Sequence, residues 1–463
     1  MSKTQKSYWL TSGLFSLFEK GSVFIFGFIG TILLIRSLEI EAFGIWALFL
    51  ATTSLFEVAI IGLVQNALVK YLATSDDHSY AKINSASLVL NVCFTAMAAL
   101  FLFLASDWIA GMVSQLVEVD ALATMFRWYT LTLFILIPFY QFNHIQQANL
   151  NFKGIFWSNF ARKGLFFTFI AFLFLSGRDF VVLDLVLFQI AGASLGAVVA
   201  WYFARRYLRF SWQIESKWLQ KLFSFGIFVF GTNLSTMLYK NIDRLMLGSL
   251  LTEVAVALYD LAIRITNLVD VPAVSVASVV FPQGAKKAAT EGHQAIQVLY
   301  EKSVAAILCL ILPFIGFILL FPEFVIVLIG GAKYLDSVPL LRLTILFGLF
   351  LPFAIQFGTV LDSIGRPFIN FCFTLGGMIL NVLLNYIFIS NFGVVGAAYG
   401  TLLTYGITFV FNQIVLYRLF KIKAYRVLFY IPSLYREAFR IIKKALAKKE
   451  KVELEAMSSV EHE

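Results

Sequence analysis

The sequence predicts an all-α polytopic membrane protein. Apolar runs of roughly twenty residues recur along the chain, separated by short polar, turn-like stretches. Hydrophobic residues make up 60% of the 463 positions and charged ones only 14%, with a mean hydropathy of +0.84, far from the balance of a soluble domain. The clearest run, Pro367 to Tyr417, holds 51 residues without an Asp, Glu, Lys or Arg. It is broken only at Asn391-Phe392-Gly393, so it reads as two membrane helices joined by a tight turn. Each needs about 20 apolar residues, at about 1.5 Å rise apiece, to cross the hydrocarbon core.

In chain order the predicted spans are 12–35, 43–66, 83–105, 121–148, 158–176, 183–204, 219–248, 254–282, 302–321, 337–361, 367–389 and 393–417. Met1 to Thr11 is polar and basic and lacks an apolar stretch ending in a small-residue cleavage site, so it reads as an uncleaved cytoplasmic start. With that end inside, the inner loops hold Lys70, Lys82, Lys153, Arg205, Arg206, Arg209, Lys217, Lys221, Lys286, Lys287 and Arg366. The opposite loops hold only Arg36, Arg178 and Lys333, so the positive-inside rule places both termini in the cytoplasm. The net charge of +9 is this loop bias; no nucleic-acid partner is expected. Cys93, Cys309 and Cys372 all lie in apolar runs, which argues against a disulfide framework or a zinc site.

The spacing of two motifs reads as an internal repeat, with chance alignment of apolar text as the competing reading. Phe43-Gly44-Ile45-Trp46 opens the second span and Val256-Ala257-Leu258-Tyr259 lies early in the eighth, and eleven residues past each aromatic stands a carboxylate, Glu57 or Asp270. The offset of 213 residues equals six spans. Six is even, so the halves insert in the same sense, related by a pseudo-two-fold along the membrane normal. Residues 1–210 and 211–420 are therefore read as six-helix bundles, and 421–463 as a basic amphipathic cytoplasmic tail. In the tail, Leu428, Ile431, Tyr435, Phe439, Ile442 and Leu446 recur at three- and four-residue steps beside Arg436, Arg440, Lys443 and Lys444. That pattern suits a helix on anionic lipids; a solvated helix is the competing reading. From Lys448 onward no fixed structure is expected.

Function is sought in the charges left inside the membrane, where an ionisable group costs a few kcal/mol and faces a cavity or a partner. Nine stand out: Glu19, Lys20, Glu57, Lys240, Asp243, Arg244, Asp260, Arg264 and Asp270. Asp260 and Arg264 share a helix face, as do Lys240 and Arg244; Asn267 and Asn233 extend these stripes. Salt bridges that merely hold the helices are the competing reading. Four cations against five anions give a net of −1, and in the outer half three cations against two anions. Arg36, Arg127 and Arg342, near outer span ends, could add to that outer cationic excess, though snorkelling to the interface explains each more simply. The central carboxylates suit coupling to Na⁺ or H⁺. The polar cluster from Gln141 to Asn151 reads as a cytoplasmic mouth or a solvated helix end. Pro272, Pro313 and Pro352 mark kinks, and Gly376-Gly377 and Gly393, Gly396 and Gly400 mark close helix contacts. No phosphate-cradling loop, catalytic triad or soluble ATPase domain is present in the sequence, so no enzyme and no cofactor is expected.

Several motifs carry a resemblance. They are Arg36-Ser37-Leu38 with Glu41-Ala42-Phe43-Gly44-Ile45-Trp46; Asp243-Arg244-Leu245-Met246-Leu247-Gly248; Tyr259 eleven residues on; Phe281-Pro282; and Gly393-Val394-Val395-Gly396-Ala397-Ala398. In order and spacing they resemble the polysaccharide-transporter branch of the multidrug/oligosaccharidyl-lipid/polysaccharide exporter superfamily, the flippases of O-antigen and related repeat units. Ala257 departs from the glycine usual there. The resemblance implies two bundles around a cavity working by alternating access in a bacterial inner membrane. It implies an undecaprenyl-pyrophosphate-linked oligosaccharide as cargo, with polysaccharide assembly proteins as partners. Lys240, Arg244 and Arg264 would then bind the diphosphate, with Lys20, Asn233 and Asn267 lining the cavity, and Glu57, Asp270, Asp243, Asp260 and Glu19 would serve ion coupling or gating. The alternatives are a cation-coupled multidrug exporter of the same fold, and a membrane glycan polymerase or ligase, which the short outer loops disfavour.

Overall fold

The computed structural model describes residues 3–73, 75–114, 119–177, 181–277, 280, 293–364, 366–436 and 440. The described residues are helical throughout their ordered elements. In chain order these are α1 (Lys3–Ser37), α2 (Ile40–Ala73), α3 (Asp77–Leu104), α4 (Ser106–Val113), α5 (Val119–Ala148), α6 (Phe152–Ser176), α7 (Val182–Ala204), α8 (Ser216–Leu250) and α9 (Glu253–Thr266). They continue with α10 (270–277), α11 (His293–Leu320), α12 (Pro322–Gly330), α13 (Val338–Thr344), α14 (Leu351–Ser363), α15 (Pro367–Phe392), α16 (Val394–Phe420) and α17 (424–436).

Ten segments of the described chain are long and apolar enough to cross a membrane. The two remaining predicted spans are α8, which is long enough but carries Lys240, Asp243 and Arg244, and the α9–α10 run, which carries Asp260, Arg264 and Asp270. The predicted break within 367–417 stands at Gly393, whose φ of 61° is open to glycine without strain.

Two predicted continuous spans are interrupted. A 3₁₀ turn at Asn267–Val269 separates α9 from α10, and another at Ile345–Leu349 separates α13 from α14. The cause is the same in each. A proline ring clashes with the carbonyl four residues earlier, and for Pro272 and Pro352 those carbonyls, of Leu268 and Gly348, lie within the 3₁₀ turns. The predicted outer loops at 106–120 and 322–336 contain the short helices α4 and α12.

The chain packs as two compact units. The first comprises Met1–Leu261, Glu323–Leu340 and Met378–Gly400, and so reaches beyond residues 1–210 to include α8. Within it α1 lies on α6, α6 on α7, α7 on α5, and α2 and α3 on α5, while α8 packs along α2. Close approach explains two of the motif glycines. A Cβ on Gly44 would stand 2.0 Å from the Glu253 carbonyl oxygen, and one on Gly248 would stand 2.1 Å from that of Val113. Two basic side chains cap helix ends reciprocally: Arg36 donates to the Leu328 carbonyl in the last turn of α12 (2.5 Å), and Lys333 to the Leu38 carbonyl after α1. Arg127 pairs with Asp107 at 2.5 Å. These contacts replace snorkelling for Arg36 and Arg127.

The second unit comprises Ala262–Pro322, Leu341–Gly377 and the chain from Thr401 onward. Here α11 packs on α14 and on the Ile345–Leu349 turn. The tail helix α17 docks on α11. Pro313 has no N–H for the Cys309 carbonyl four residues earlier, and the Tyr435 hydroxyl donates to that carbonyl at 2.7 Å instead. Of the predicted amphipathic face, Leu428 is exposed, Ile431 is half-buried with its carbonyl accepting from Cys309 Sγ at 3.6 Å, and Tyr435 is engaged as above. Arg178, Phe281-Pro282, Lys286, Lys287 and the tail positions Phe439, Ile442, Lys443, Lys444 and Leu446 lie outside the described residues, as does the segment from Lys448.

Candidate functional site

Glu57 stands at the midpoint of the 34-residue α2. Arg162 of α6 places Nη2 3.1 Å from Glu57 Oε1, and the Tyr140 hydroxyl of α5 donates to the same oxygen. Tyr129, also on α5, donates to Glu57 Oε2 at 3.3 Å. Arg162 Nη1 in turn donates to the Tyr140 hydroxyl at 3.0 Å, and its guanidinium lies 4.9 Å from the Phe139 ring centroid. Aromatic packing fixes these helices against each other: Phe49 meets the Tyr129 ring edge-on at 5.4 Å, and Trp46 stacks with Phe166 at 6.3 Å. The position eleven residues past Trp46 therefore points its carboxylate into a clamp built by α5 and α6.

Beside this clamp the first unit holds a partly open cavity of about 130 Å³. Thr53, Ser54, Glu57, Thr132, Arg162 and Lys163 are among its lining residues. Arg162 and Lys163 escaped the sequence reading because the fifth span was started at 158, which put both in its first turns. The helix begins at Phe152, so Arg162 lies ten residues along it, about 15 Å deep. The signal that could have found them is Glu57 itself, since a carboxylate at mid-span demands a cation nearby. Adding Arg162 and Lys163 turns the intramembrane balance from −1 to +1.

A second charged group ties α8 to α9 and α15 in the same unit. Asp243 Oδ2 accepts from the Tyr259 hydroxyl at 2.6 Å, and Oδ1 from Asn385 Nδ2 at 2.7 Å. Arg244 Nε donates to Asp260, whose side chain is fully buried, and Arg244 Nη1 donates to Asn241 Oδ1 at 3.0 Å. Buried Glu253 accepts from Ser114. The structure thus brings together Asp243, Arg244 and Asp260. It places the side chains of Asn233 and Lys240 on the exposed surface of α8, Glu19 half-buried and Lys20 exposed on α1. In the second unit Arg264 and Asp270 are half-buried and Asn267 is exposed.

The polar cluster at the end of α5 is neither a mouth nor a solvated end. Gln141, Asn143, His144 and Gln146 are buried. Gln141 Nε2 donates to Asn84 Oδ1 and Ser87 Oγ, each at 2.7 Å, and its Oε1 accepts from Asn91 at 2.9 Å; Ser158 Oγ donates to Asn143 Oδ1 at 2.7 Å. This network satisfies amides that lipid could not.

These features define an all-α, multi-pass membrane protein with a charged chamber inside one helical unit. Comparison with known proteins supplies the family. The chain belongs to the polysaccharide biosynthesis protein family, which it matches over residues 10–287, and it also matches the MatE family over 229–387. It is 26% identical over 195 residues to the probable low-salt glycan biosynthesis flippase Agl15 of Haloferax volcanii, covering 42% of this chain and 41% of that protein. It is 27% identical over 197 residues to the uncharacterized membrane protein MJ1068 of Methanocaldococcus jannaschii, covering 42% of this chain and 39% of that one. The match thus spans about two-fifths of these curated relatives. Among solved structures, an inward-facing multidrug resistance MATE family transporter of the MOP superfamily shares the fold at a TM-score of 0.75 and 17% identity, covering 86% of this chain and 96% of that one. The lipid II flippase MurJ, in an inward closed conformation, shares it at 0.75 and 15%, covering 93% and 92%.

Proposed function

We propose that the protein is a flippase that carries undecaprenyl-pyrophosphate-linked oligosaccharide units from the cytoplasmic to the outer leaflet of a bacterial inner membrane by alternating access between bundles 1–210 and 211–420, with both termini in the cytoplasm. The observation that carries this reading is the family match over residues 10–287. The charged side chains on the membrane helices support it, because a diphosphate and sugar head cross hydrocarbon only where polar groups replace water. Lys240, exposed on α8, is retained as a diphosphate contact, as is Arg264 on α9. Arg244 is withdrawn from that role, since its guanidinium is committed to Asp260 and Asn241. Asp243 and Asp260 act as helix ties, and Glu57 as the coupling carboxylate: a proton or Na⁺ there competes with Arg162. On α17, Leu428 and Phe429 are exposed beside Arg426 and Arg436, a surface suited to anionic lipids, and assembly proteins of the same glycan are the expected partners. Depletion of the protein tests the reading. It should accumulate lipid-linked repeat units on the inner leaflet; an unchanged pool with normal surface glycan rejects it.

The MatE match and the clamped carboxylate Glu57 favour one alternative, a cation-coupled multidrug exporter. A deletion strain that gains drug sensitivity while keeping its surface glycan would establish that reading instead.

A further inference from the structure

Beside the clamp the chamber holds a second cation, which feels the charge of Glu57 but makes no ion pair with it. Arg162 neutralises Glu57, and both carboxylate oxygens are taken, Oε1 by Arg162 and Tyr140 and Oε2 by Tyr129. Lys163, next in sequence, lines the same cavity, and no hydrogen bond or ion pair holds its ammonium among the described residues. Thr132 also lines the cavity; it is 2% exposed and its Oγ1 has no hydrogen-bond partner. Gln189, on α7, completes this wall, and its amide is likewise without a hydrogen bond among the described residues. Three polar groups from three helices thus face one space with their donors unspent.

We infer that this chamber is an oxyanion subsite, in which Lys163, Thr132 and Gln189 bind a carboxylate or phosphate oxygen. The sign follows from the charges. An ammonium within a membrane span is costly without a counter-charge, and the available carboxylate is already matched by Arg162. A cation entering the space meets Lys163 and reaches Glu57 only by displacing Arg162 or a tyrosine hydroxyl, whereas an anion meets an ammonium with no ion pair of its own among the described residues. The size follows from the volume. A cavity of about 130 Å³ has room for several waters or one small oxyanion group, and not for an oligosaccharide. The ligand is therefore an acidic substituent, a uronate carboxylate or a phosphate ester, or else free phosphate. That the acidic substituent belongs to the cargo rests on the flippase reading; the site itself does not.

The test is thermal unfolding of the purified full-length chain in detergent, titrated at constant ionic strength with glucuronate, inorganic phosphate, chloride and glucose. The wild type should show a saturable rise in Tm with at least one oxyanion and none with glucose or chloride. The half-saturating concentration should rise tenfold or more in Lys163→Met, rise less in Thr132→Val, and stay close to wild type in Lys163→Arg. A response to glucuronate alone assigns the site to an acidic sugar, and a response to phosphate alone assigns it to a phosphate group. No oxyanion response in the wild type, an equal response to chloride, or a Lys163→Met variant that titrates like wild type overturns the subsite. Should Lys163→Met fail to fold, Thr132→Val and Gln189→Leu must each weaken the response, and an undiminished response in both overturns it. Depletion that leaves lipid-linked glycan unchanged would reject the flippase reading and leave this titration intact.

Discussion

Arg162 reaches across from α6 to Glu57 on α2, with Nη2 3.1 Å from Oε1, and the Tyr140 hydroxyl bonds to both partners. The pair joins two helices of the first unit through charge midway along α2. Its value to the fold is conditional: each group is tolerable only while the other is present.

That conditionality gives the first prediction. Arg162→Met strands a carboxylate at mid-span and should destabilise the purified protein by about 3–5 kcal/mol, with Glu57→Gln costing less because a neutral amide remains. The double variant Glu57→Gln/Arg162→Met should recover much of the loss. Unfolding of all four proteins in detergent gives the coupling energy. Losses that simply add would mean that the two side chains do not depend on each other.

A second pair separates binding from architecture. Arg244 and fully buried Asp260 are bonded between α8 and α9, so Arg244→Ala should act on folding rather than on cargo recognition. Folded yield should drop sharply, and Arg244→Met/Asp260→Asn should restore most of it. Lys240→Ala, at an exposed position, should leave the yield near wild type and lower surface glycan. Fluorescence-detected size-exclusion yields, read beside glycan levels, check both expectations. An Arg244→Ala protein that folds normally yet abolishes glycan export would return Arg244 to the binding set.

What the sequence made legible was periodicity and charge rarity. Long apolar runs located the spans, and the aromatic-plus-eleven spacing singled out Glu57. What it concealed was register in depth. A boundary placed six residues late, at 158 rather than Phe152, disguised Arg162 and Lys163 as interfacial. The amides of Gln141, Asn143 and Gln146 looked solvated because composition does not show that Asn84, Ser87 and Ser158 on neighbouring helices answer the first two and the Ala200 carbonyl the third. The two prolines behind the 3₁₀ breaks were visible, but whether a proline kinks a helix or divides it depends on what satisfies the freed carbonyls.

Pro313 shows that dependence and yields a third prediction. The Cys309 carbonyl it leaves free is answered by Tyr435 from the tail helix. Tyr435→Phe should cost about 1 kcal/mol, since one hydrogen bond is lost at a partly exposed site. In a Pro313→Ala background the restored N–H of residue 313 takes over the carbonyl, and the same Tyr435→Phe change should then cost little. Equal losses in both backgrounds, measured by thermal unfolding, would show that the hydroxyl does not serve this carbonyl.

The motif glycines make the fourth prediction, because their surroundings differ although the residue type is shared. Gly44 leaves no room for a methyl group: its Cβ would lie 2.0 Å from the Glu253 carbonyl oxygen, which is backbone and cannot rotate aside. Gly44→Ala must therefore push α2 away from the start of α9, and overpacking of this kind costs about 1–3 kcal/mol. Gly376, assigned by sequence to a close helix contact, meets nothing within 4 Å. Gly376→Ala should accordingly be neutral or raise stability by up to about 1 kcal/mol, because alanine gives up less conformational freedom in a helix than glycine does. Thermal unfolding of the two variants side by side reads the difference, with Gly44→Ala below wild type and Gly376→Ala at or above it. Two variants shifted equally downward would mean that the close approach of α2 to Glu253 is not what keeps position 44 a glycine.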